Sequence, residues 1–252
     1  RLSLVGSEMC IRDSGRRIQG GSLRGVSGRE KDFKTPMSRL LDFTDVALYG
    51  VTSEPRDERE FLDKISAALA GGMDALQLRC KKMSDRDVVA LGKKVKALCA
   101  DAGTLFLVDN RLDIALALDA DGVHVGHEDL PVPFVRSLLG HRKIIGRSAH
   151  SLPEAIEAQR AGADYVSCGP IWATPTRPDY PAVGLNLIGL YHAALRIPYV
   201  VIGGVDETNI DQVVEAGAKT VAVVRAIFDA KDPKAAAQFF KQKISRNRAV
   251  AH

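Results

Sequence analysis

The chain reads AGADYVSC from Ala161 to Cys168, and this short pattern decides the fold. It ends an amphipathic stretch with a turn of small residues, and an apolar run follows at once. Glycine suits the left-handed turn that closes a helix, and a mostly apolar run is typical of a parallel strand buried on both faces. Related junctions begin at Ala70, Asp119 and Ala216. The recurrence indicates repeated β/α units.

Outward from these junctions, short β-branched runs alternate with amphipathic stretches. The predicted strands are 46–52, 74–79, 104–109, 121–125, 143–147, 164–169, 198–203 and 220–224. The predicted helices are 58–70, 84–101, 112–118, 131–139, 152–161, 185–196, 207–216 and 232–244. Eight such units predict a single-domain α/β fold, the (β/α)8 TIM barrel. A doubly wound open sheet is the alternative, and it is disfavoured because no GxGxxG follows the first strand.

Helix-start signals support this assignment. Ser84 precedes the second helix, and Ser151 with Glu154 forms a capping box for the fifth. Pro233 suits the first turn of the last helix.

The composition excludes several functional classes. The net charge of +4 lies wholly in residues 1–36, which hold eight basic and four acidic residues, so the remaining chain is neutral and gives no argument for a nucleic-acid partner. No apolar run approaches the roughly 20 residues that a membrane span needs. The four cysteines lack CxxC spacing, which argues against a zinc site or a disulfide framework and favours the cytoplasm. A homo-oligomer is compatible with the sequence.

The first 36 residues carry no structural signal. They are rich in glycine, serine and arginine without an apolar period. Residues 5–14 also look like translated adapter sequence. We therefore expect a disordered, non-native extension over 1–36, a native start near Met37, the barrel over 37–245 and a C-terminal tail over 246–252.

Polar residues concentrate where the predicted strands end. Gln77, Arg79 and Lys81 alternate after the second strand, so they share one face that can point into the barrel mouth. Arginine offers a planar fork for phosphate and lysine a point charge. The alternative to a phosphate-binding role is a structural ion pair across the barrel. Two cations exceed what one carboxylate needs, which favours a phosphate site.

Carboxylates follow the next two strands. Asp109 and Asn110 end the third strand, and Asp129 lies after the fourth. Each could be a simple turn or cap residue. Together they suit Mg²⁺, which uses one or two carboxylates besides phosphate oxygens. Since adjacent strand residues face opposite sides, one of Asp109 and Asn110 should face the metal beside Asp129, and we expect Asp109 after a turn of the chain.

The remaining strand ends complete the predicted mouth. Ser148 is a candidate ligand contact after the fifth strand, whereas His150 is better explained by a structural hydrogen bond than by catalysis. A long loop after the sixth strand carries Thr174, Thr176 and Arg177, which suit a phosphate lid. Glycine after the seventh strand (Gly204) and the backbone at Val224 and Arg225 after the eighth suit a phosphate pocket.

Five motifs in order resemble the signatures of the thiamine phosphate synthase family. They are QLRxK, DGVHxGxED, SxHS, GPIxxTxT and IGG, at 77–81, 121–129, 148–151, 169–176 and 202–204. Three positions depart from the usual pattern: Asp109-Asn110 for Asn-Asp, His127 for Gln, and Arg177 for Lys. The family joins 4-amino-5-hydroxymethyl-2-methylpyrimidine diphosphate to hydroxyethylthiazole phosphate and uses Mg²⁺.

The resemblance implies roles for the candidate residues. Arg79, Lys81, Ser148 and Arg177 would hold the diphosphate, and the first three would be the catalytic residues. Gln77 would lie near the pyrimidine, and Mg²⁺ would bind at Asp129 with Asp109 and Asn110. The thiazole phosphate would bind at Thr174, Thr176, Gly204, Val224 and Arg225. A thiazole tautomerase-like relative and a non-enzymatic ligand-binding regulator of the same fold are the alternatives.

Overall fold

Eight parallel strands close into a barrel in the computed structural model, which describes residues 43–174 and 180–250 apart from the side chains of 247–250. The strands are β1 Leu48–Val51, β2 Ala75–Leu78, β3 Leu105–Asp109, β4 Gly122–Val125, β5 Ile144–Arg147, β6 Tyr165–Cys168, β7 Tyr199–Val201 and β8 Val221–Val223. Each strand pairs with the next, and β8 pairs with β1. The predicted (β/α)8 TIM barrel is therefore confirmed.

Helices follow the strands on the outside of the barrel. They are α1 Glu58–Ala70, α2 Asp85–Ala102, α3 Leu112–Ala117, α4 Val132–Leu139, α5 Leu152–Arg160, α6 Asn186–Ala194, α7 Ile210–Glu215, α8 Arg225–Phe228 and α9 Pro233–Val250. None of the helices in the described part of the chain is long and apolar enough to cross a membrane. The extension predicted over 1–36 lies outside the described residues.

Three local predictions need correction. The short helix α8 was not predicted, because four residues are too few to show a helical period. Helix α9 reaches Val250, so it continues into the segment 246–252 that was expected to be a tail. At the second junction the left-handed residue is Asp119, with φ +47°, and not a glycine. Aspartate tolerates this conformation better than most residues.

The helix-start signals are largely confirmed. The Ser84 hydroxyl accepts a hydrogen bond from the backbone N–H of Asp87. The Ser151 hydroxyl accepts from the backbone N–H of Glu154 at 3.4 Å. The second half of that capping box differs, because the Glu154 carboxylate accepts from the backbone N–H of His150 at 2.9 Å and not from that of Ser151.

The aspartate of the junction pattern fixes one strand against the next. Asp74, Asp121 and Asp164 precede β2, β4 and β6, and the carboxylate of each accepts backbone N–H groups at the start of the preceding strand. The donors are Ala47 and Leu48 for Asp74, Phe106 for Asp121 and Ile145 for Asp164. These bonds satisfy strand-start donors that the sheet leaves unpaired, so they hold neighbouring strands in register.

The barrel interior is filled at its lower end by aromatic rings. Phe43 stacks on Tyr165 with ring centroids 3.9 Å apart and an interplanar angle of 4°. Tyr49 packs beside both rings. Gly146 on β5 makes room for this cluster, because a Cβ atom there would overlap the Tyr165 ring. The missing side chain of Gly146 therefore sets the position of Tyr165.

Replacing Gly146 with alanine should destabilise the barrel. The new methyl group forces the buried Tyr165 ring out of its stack on Phe43, and overpacking of this kind costs about 1–3 kcal/mol. Chemical denaturation of the full chain measures the effect. Gly189→Ala in α6 is the matched control, because its Cβ meets nothing within 4 Å and alanine favours a helix. Equal free energies of unfolding for the two variants would contradict the role of Gly146.

Candidate active site

A cavity of about 430 Å³ opens at the carboxyl ends of the strands. This volume lies within the usual range for small-molecule sites. Every strand or its following loop contributes to the wall, through residues that include Tyr49, Gln77, Asp109, His124, Ser148, Tyr165, Gly203 and Val224. The predicted site residues Arg79, Thr174, Gly204 and Arg225 line the same cavity. These predicted residues therefore meet at one mouth, whereas Lys81, Asn110 and Asp129 lie next to Asp109 and outside the cavity wall.

The two predicted cations converge on one carboxylate. Lys81 Nζ lies 2.6 Å from Asp109 Oδ2, and Arg79 Nε lies 3.7 Å from the same oxygen. The contact is ionic, because Asp109 Oδ2 is buried and has no hydrogen bond of normal geometry among the described residues. A structural ion pair is therefore present, which is the alternative to a phosphate site that the sequence left open. Two cations against one carboxylate still leave an excess of positive charge for an anion.

The loop that carries these cations is held by the loop after β1. The backbone N–H of Arg79 donates to Thr52 Oγ1 at 2.9 Å. The two oxygens of Glu54 accept from the backbone N–H groups of Lys81 and Lys82 at 2.8 and 3.0 Å. These three contacts fix the direction in which the Arg79 and Lys81 side chains leave the backbone.

Cys80 lies between the two cations but is not a nucleophile in this setting. Burial, together with the charges of Glu54 and Asp109, raises the pKa of its thiol to about 12. The thiol therefore stays protonated near neutral pH, and only the thiolate is strongly nucleophilic.

The turn predicted at the end of β3 is present. Asn110 has φ +49°, and its Nδ2 donates to Asp129 Oδ1 at 2.8 Å. Its Oδ1 accepts from Lys81 Nζ at 2.8 Å. The direct contact with Asp129 is thus made by Asn110 and not by Asp109. The left-handed turn at Asn110 brings its amide to Asp129, while Asp109 remains directed at the cations.

The loop after β4 presents Asp129 through its own backbone. The second carboxylate oxygen of Asp129 accepts from the backbone N–H of Gly126 at 2.6 Å. The guanidinium of Arg147, at the end of β5, donates to the carbonyl groups of Gly126 and His127. Among the described residues, no group of three or more His, Cys, Asp or Glu side chains could hold a metal ion. A metal here needs ligands besides these carboxylates.

The barrel interior contributes polar residues that the sequence prediction missed. His124 Nε2 lies 3.0 Å from Ser148 Oγ, and its Nδ1 lies 2.9 Å from the Tyr165 hydroxyl. Burial lowers the pKa of His124 to about 4, so its ring is neutral near pH 7. Tyr49 completes this group through its hydroxyl, 2.9 Å from that of Tyr165. Period-two spacing within the strands was the available signal, since Tyr49, His124 and Tyr165 occupy inward-facing positions.

His150 has a structural partner. Its backbone N–H donates to Glu154 Oε2, and its Nδ1 lies 3.2 Å from the same oxygen. Its ring stacks on Tyr180 with centroids 4.2 Å apart. This geometry agrees with a structural hydrogen-bonding role for His150.

Two glycines after β7 let the loop after β6 lie directly against them. Gly203 and Gly204 have φ of +101° and +70°. A Cβ on Gly204 would lie 2.7 Å from Trp172 Cβ, and the Trp172 N–H donates to the Gly203 carbonyl at 3.1 Å. This contact leads the loop to Thr174 at the cavity wall. The predicted lid residues Thr176 and Arg177 lie outside the described residues.

The last two strand ends form the remaining wall. Gly204, Val224 and Arg225 line the cavity, and α8 begins at Arg225. In this fold, the loops after strands 7 and 8 with a short extra helix commonly bind phosphate through backbone N–H groups. A (β/α)8 barrel with such a pocket and two cations at the same mouth defines an enzyme of the phosphate-handling barrel class.

The comparison with known families makes this more specific. Residues 48–227 match the TMP-TENI family, described as thiamine monophosphate synthase, and the chain belongs to this family. It is an enzyme of the thiamine-phosphate synthase type, a transferase of thiamine biosynthesis.

Individual relatives agree with the family match. Thiamine-phosphate synthase of Thermobifida fusca is 44% identical over 200 residues, which cover 78% of this chain and 91% of that protein. The Moorella thermoacetica enzyme of the same name is 43% identical, with 79% and 95% covered. The solved structure of thiamine phosphate pyrophosphorylase from Pyrococcus furiosus is 33% identical, with TM-score 0.73, 80% of this chain and 96% of that chain covered.

The neutral His124 predicts a pH dependence of stability. Its pKa is lowered in the folded state, so the unfolded chain binds the extra proton between pH about 6.5 and about 4. The free energy of unfolding should therefore fall as the pH falls through this window, by up to about 1.4 kcal/mol per pH unit from this residue. Denaturation series at several pH values should give a shallower dependence for His124→Gln than for the wild type. Parallel curves would show that His124 titrates normally.

Proposed function

We propose that the chain joins 4-amino-5-hydroxymethyl-2-methylpyrimidine diphosphate to hydroxyethylthiazole phosphate, giving thiamine phosphate and diphosphate. The main observation in support is that residues predicted to bind the diphosphate and residues predicted to bind the thiazole phosphate line the same cavity. Arg79 and Ser148 belong to the predicted diphosphate site, and Thr174, Gly204 and Arg225 to the predicted thiazole phosphate site. Membership of the thiamine monophosphate synthase family supports the same assignment.

The proposed reaction does not require a strong general acid or base from the protein. The bond between the pyrimidine methylene carbon and the diphosphate oxygen breaks, and the pyrimidine amino group stabilises the resulting cation. The thiazole nitrogen then bonds to that carbon. The chain must bind the departing charge and hold the thiazole close. Arg79, Lys81 and Ser148 serve the first task, and His150, already engaged with Glu154, is not needed as a base.

The donors beside the cations suit Mg²⁺. Asp109 and Asp129 offer carboxylates and Asn110 an amide oxygen, which are the hard ligands that this ion prefers. In the described structure, the buried Asp109 Oδ2 faces the Lys81 and Arg79 cations without a hydrogen bond of normal geometry, so the space beside it favours positive charge. Mg²⁺, when bound, adds positive charge next to the diphosphate oxygens. Diphosphate itself supplies the further oxygen ligands that this small protein set requires.

The other expectations extend this proposal. Arg177 contributes to diphosphate binding, Thr176 to thiazole phosphate binding, and Gln77 lies near the pyrimidine. The enzyme works in the cytoplasm, which the free thiols of Cys80, Cys99 and Cys168 support.

A single assay tests the proposal against its alternatives. The full chain is mixed with both substrates and Mg²⁺, and diphosphate release is followed together with thiamine phosphate formation. The proposed enzyme produces both in equal amounts. A tautomerase-like relative changes the thiazole compound without releasing diphosphate, and a ligand-binding regulator binds the substrates without turnover.

Removal of either cation should impair use of the pyrimidine diphosphate. Arg79→Ala and Lys81→Ala each delete a charge-assisted contact to the leaving group, worth about 2–4 kcal/mol of transition-state stabilisation by analogy with an oxyanion donor. Steady-state measurements should show kcat/KM for this substrate reduced by about 30- to 1,000-fold. Lys82→Ala is the matched control, because in the described structure this exposed neighbour forms no ion pair with Asp109, whereas Lys81 does. Wild-type kcat/KM in both site variants would refute the assignment.

Exchange of Asp109 and Asn110 should tighten activation by Mg²⁺. The double variant Asp109→Asn with Asn110→Asp places a carboxylate at the position that contacts Asp129, where it adds a charged ligand. Aspartate accepts the left-handed backbone of position 110 nearly as well as asparagine. The Mg²⁺ concentration that gives half-maximal turnover measures the effect. Asp109→Asn alone is the control, since it removes a carboxylate without adding one, and weaker activation of the double variant would favour Asp109 as the metal ligand.

A further inference from the structure

A line of hydrogen bonds crosses the barrel interior through five residues of the cavity wall and ends at Ser148. Gln77 Nε2 donates to the Tyr49 hydroxyl at 3.1 Å, and that hydroxyl lies 2.9 Å from the hydroxyl of Tyr165. Tyr165 contacts His124 Nδ1 at 2.9 Å, and His124 Nε2 contacts Ser148 Oγ at 3.0 Å. The line joins strands β1, β2, β4 and β6 to the loop after β5, so its five members are fixed relative to one another by the barrel itself.

We propose that this line donates in one direction only, from Gln77 to Ser148, and that it thereby turns the Ser148 hydroxyl proton towards the cavity as a donor for an anion. His124 and Tyr165 are then positioning residues for Ser148. The direction itself follows from the hydrogen-bond inventory. Its use for diphosphate rests on the proposed function.

The direction is set at the Tyr49 end. The Gln77 amide nitrogen can only donate, so it occupies an acceptor site of the Tyr49 oxygen. Among the described residues, Tyr165 is then the acceptor available to the single Tyr49 proton. If Tyr165 donated to Tyr49 instead, the Tyr49 proton would remain buried and unpaired, which is unfavourable for a hydroxyl group. Burial also raises the pKa of both tyrosines, so both keep their protons.

The direction then passes through His124. Tyr165 has one proton, and because it accepts from Tyr49, it donates that proton to His124 Nδ1. Because Nδ1 accepts this hydrogen bond, it carries no proton of its own, and the ring proton must lie on Nε2. Nε2 therefore donates to Ser148 Oγ. The Ser148 oxygen is engaged as an acceptor, and its own proton is available to a molecule in the cavity.

A donor at this position suits an anionic oxygen and opposes the reverse arrangement. With the line reversed, Ser148 would donate to His124 and present only lone pairs to a phosphate, which would repel it. Hydrogen bonds to charged oxygens are about twice as strong as neutral ones. The buried line thus prepares Ser148 for an anion before the anion arrives, which avoids reorganisation in the bound state.

The tautomer of His124 tests the direction without any ligand. The full chain is labelled with ¹⁵N-histidine, and long-range ¹H–¹⁵N correlation spectra show which ring nitrogen carries the proton, with His124→Gln assigning the signal. We expect a proton on Nε2 and an Nδ1 signal shifted by an accepted hydrogen bond. Tyr165→Phe should move the Nδ1 signal towards that of a nitrogen without such a bond. Tyr199→Phe is the control, because its hydroxyl donates to Gly217 and lies outside the line.

The result that would overturn the proposal is a proton on His124 Nδ1 in the wild type, or an Nδ1 signal that Tyr165→Phe leaves unchanged. Affinity for inorganic diphosphate in the presence of Mg²⁺, measured by calorimetry, tests the consequence. Tyr165→Phe should weaken it about 2- to 10-fold, the worth of one ordinary hydrogen bond, and Tyr199→Phe should not. Equal affinity in wild type and Tyr165→Phe would refute the positioning role. Absence of diphosphate binding by the wild type would refute the proposed ligand, while the spectra would still decide the direction.

Discussion

Closure of the sheet is the constraint on which the rest of the structure depends. Because β8 pairs with β1, none of the eight strands in the described part of the chain has a free edge, and their carboxyl ends open at one rim. Residues far apart in sequence, such as Gln77 and Val224, are thereby brought to the same cavity. The aspartates at the opposite rim serve this closure, since Asp74, Asp121 and Asp164 each tie one strand to its neighbour. The amino-terminal end of the barrel fixes the strand register, and the carboxyl end holds the candidate site residues.

Closure of the barrel also places a counter-charge beside the cations at the mouth. Arg79 and Lys81 would repel one another in a partly buried site without a counter-charge. Asp109 supplies it, and the amide of Asn110 links Lys81 onward to Asp129. The cations are thus held in a fixed arrangement. An anion that enters meets donors already in place, so its binding requires little rearrangement of the protein.

Much of the fold could be predicted from the sequence, because the signals involved are local. Strand and helix periods, the small-residue junctions and the caps at Ser84 and Ser151 each act within a few residues. The candidate site was predictable where polar residues interrupt apolar strands at their ends, as at Arg79 and Asp129. Tyr49, His124 and Tyr165 were not predicted as site residues, because they lie within strands and not at strand ends. Tyrosine is also common in strands and gives no signal of a site. Only the closed barrel shows that these three side chains point at one another.

The contacts between loops were also hidden, and they decide how the site is built. Glu54 holds the backbone at Lys81 and Lys82, and nothing near Glu54 in the sequence distinguishes it from a solvated surface charge. Gly204 was predicted to form part of a phosphate pocket, yet in the fold it also lets Trp172 approach, and the neighbouring Gly203 accepts a hydrogen bond from the Trp172 N–H. A glycine in such a place has two physical reasons to be there. Because the loop after β6 rests on the loop after β7, a change in either one alters the wall that both present to the cavity.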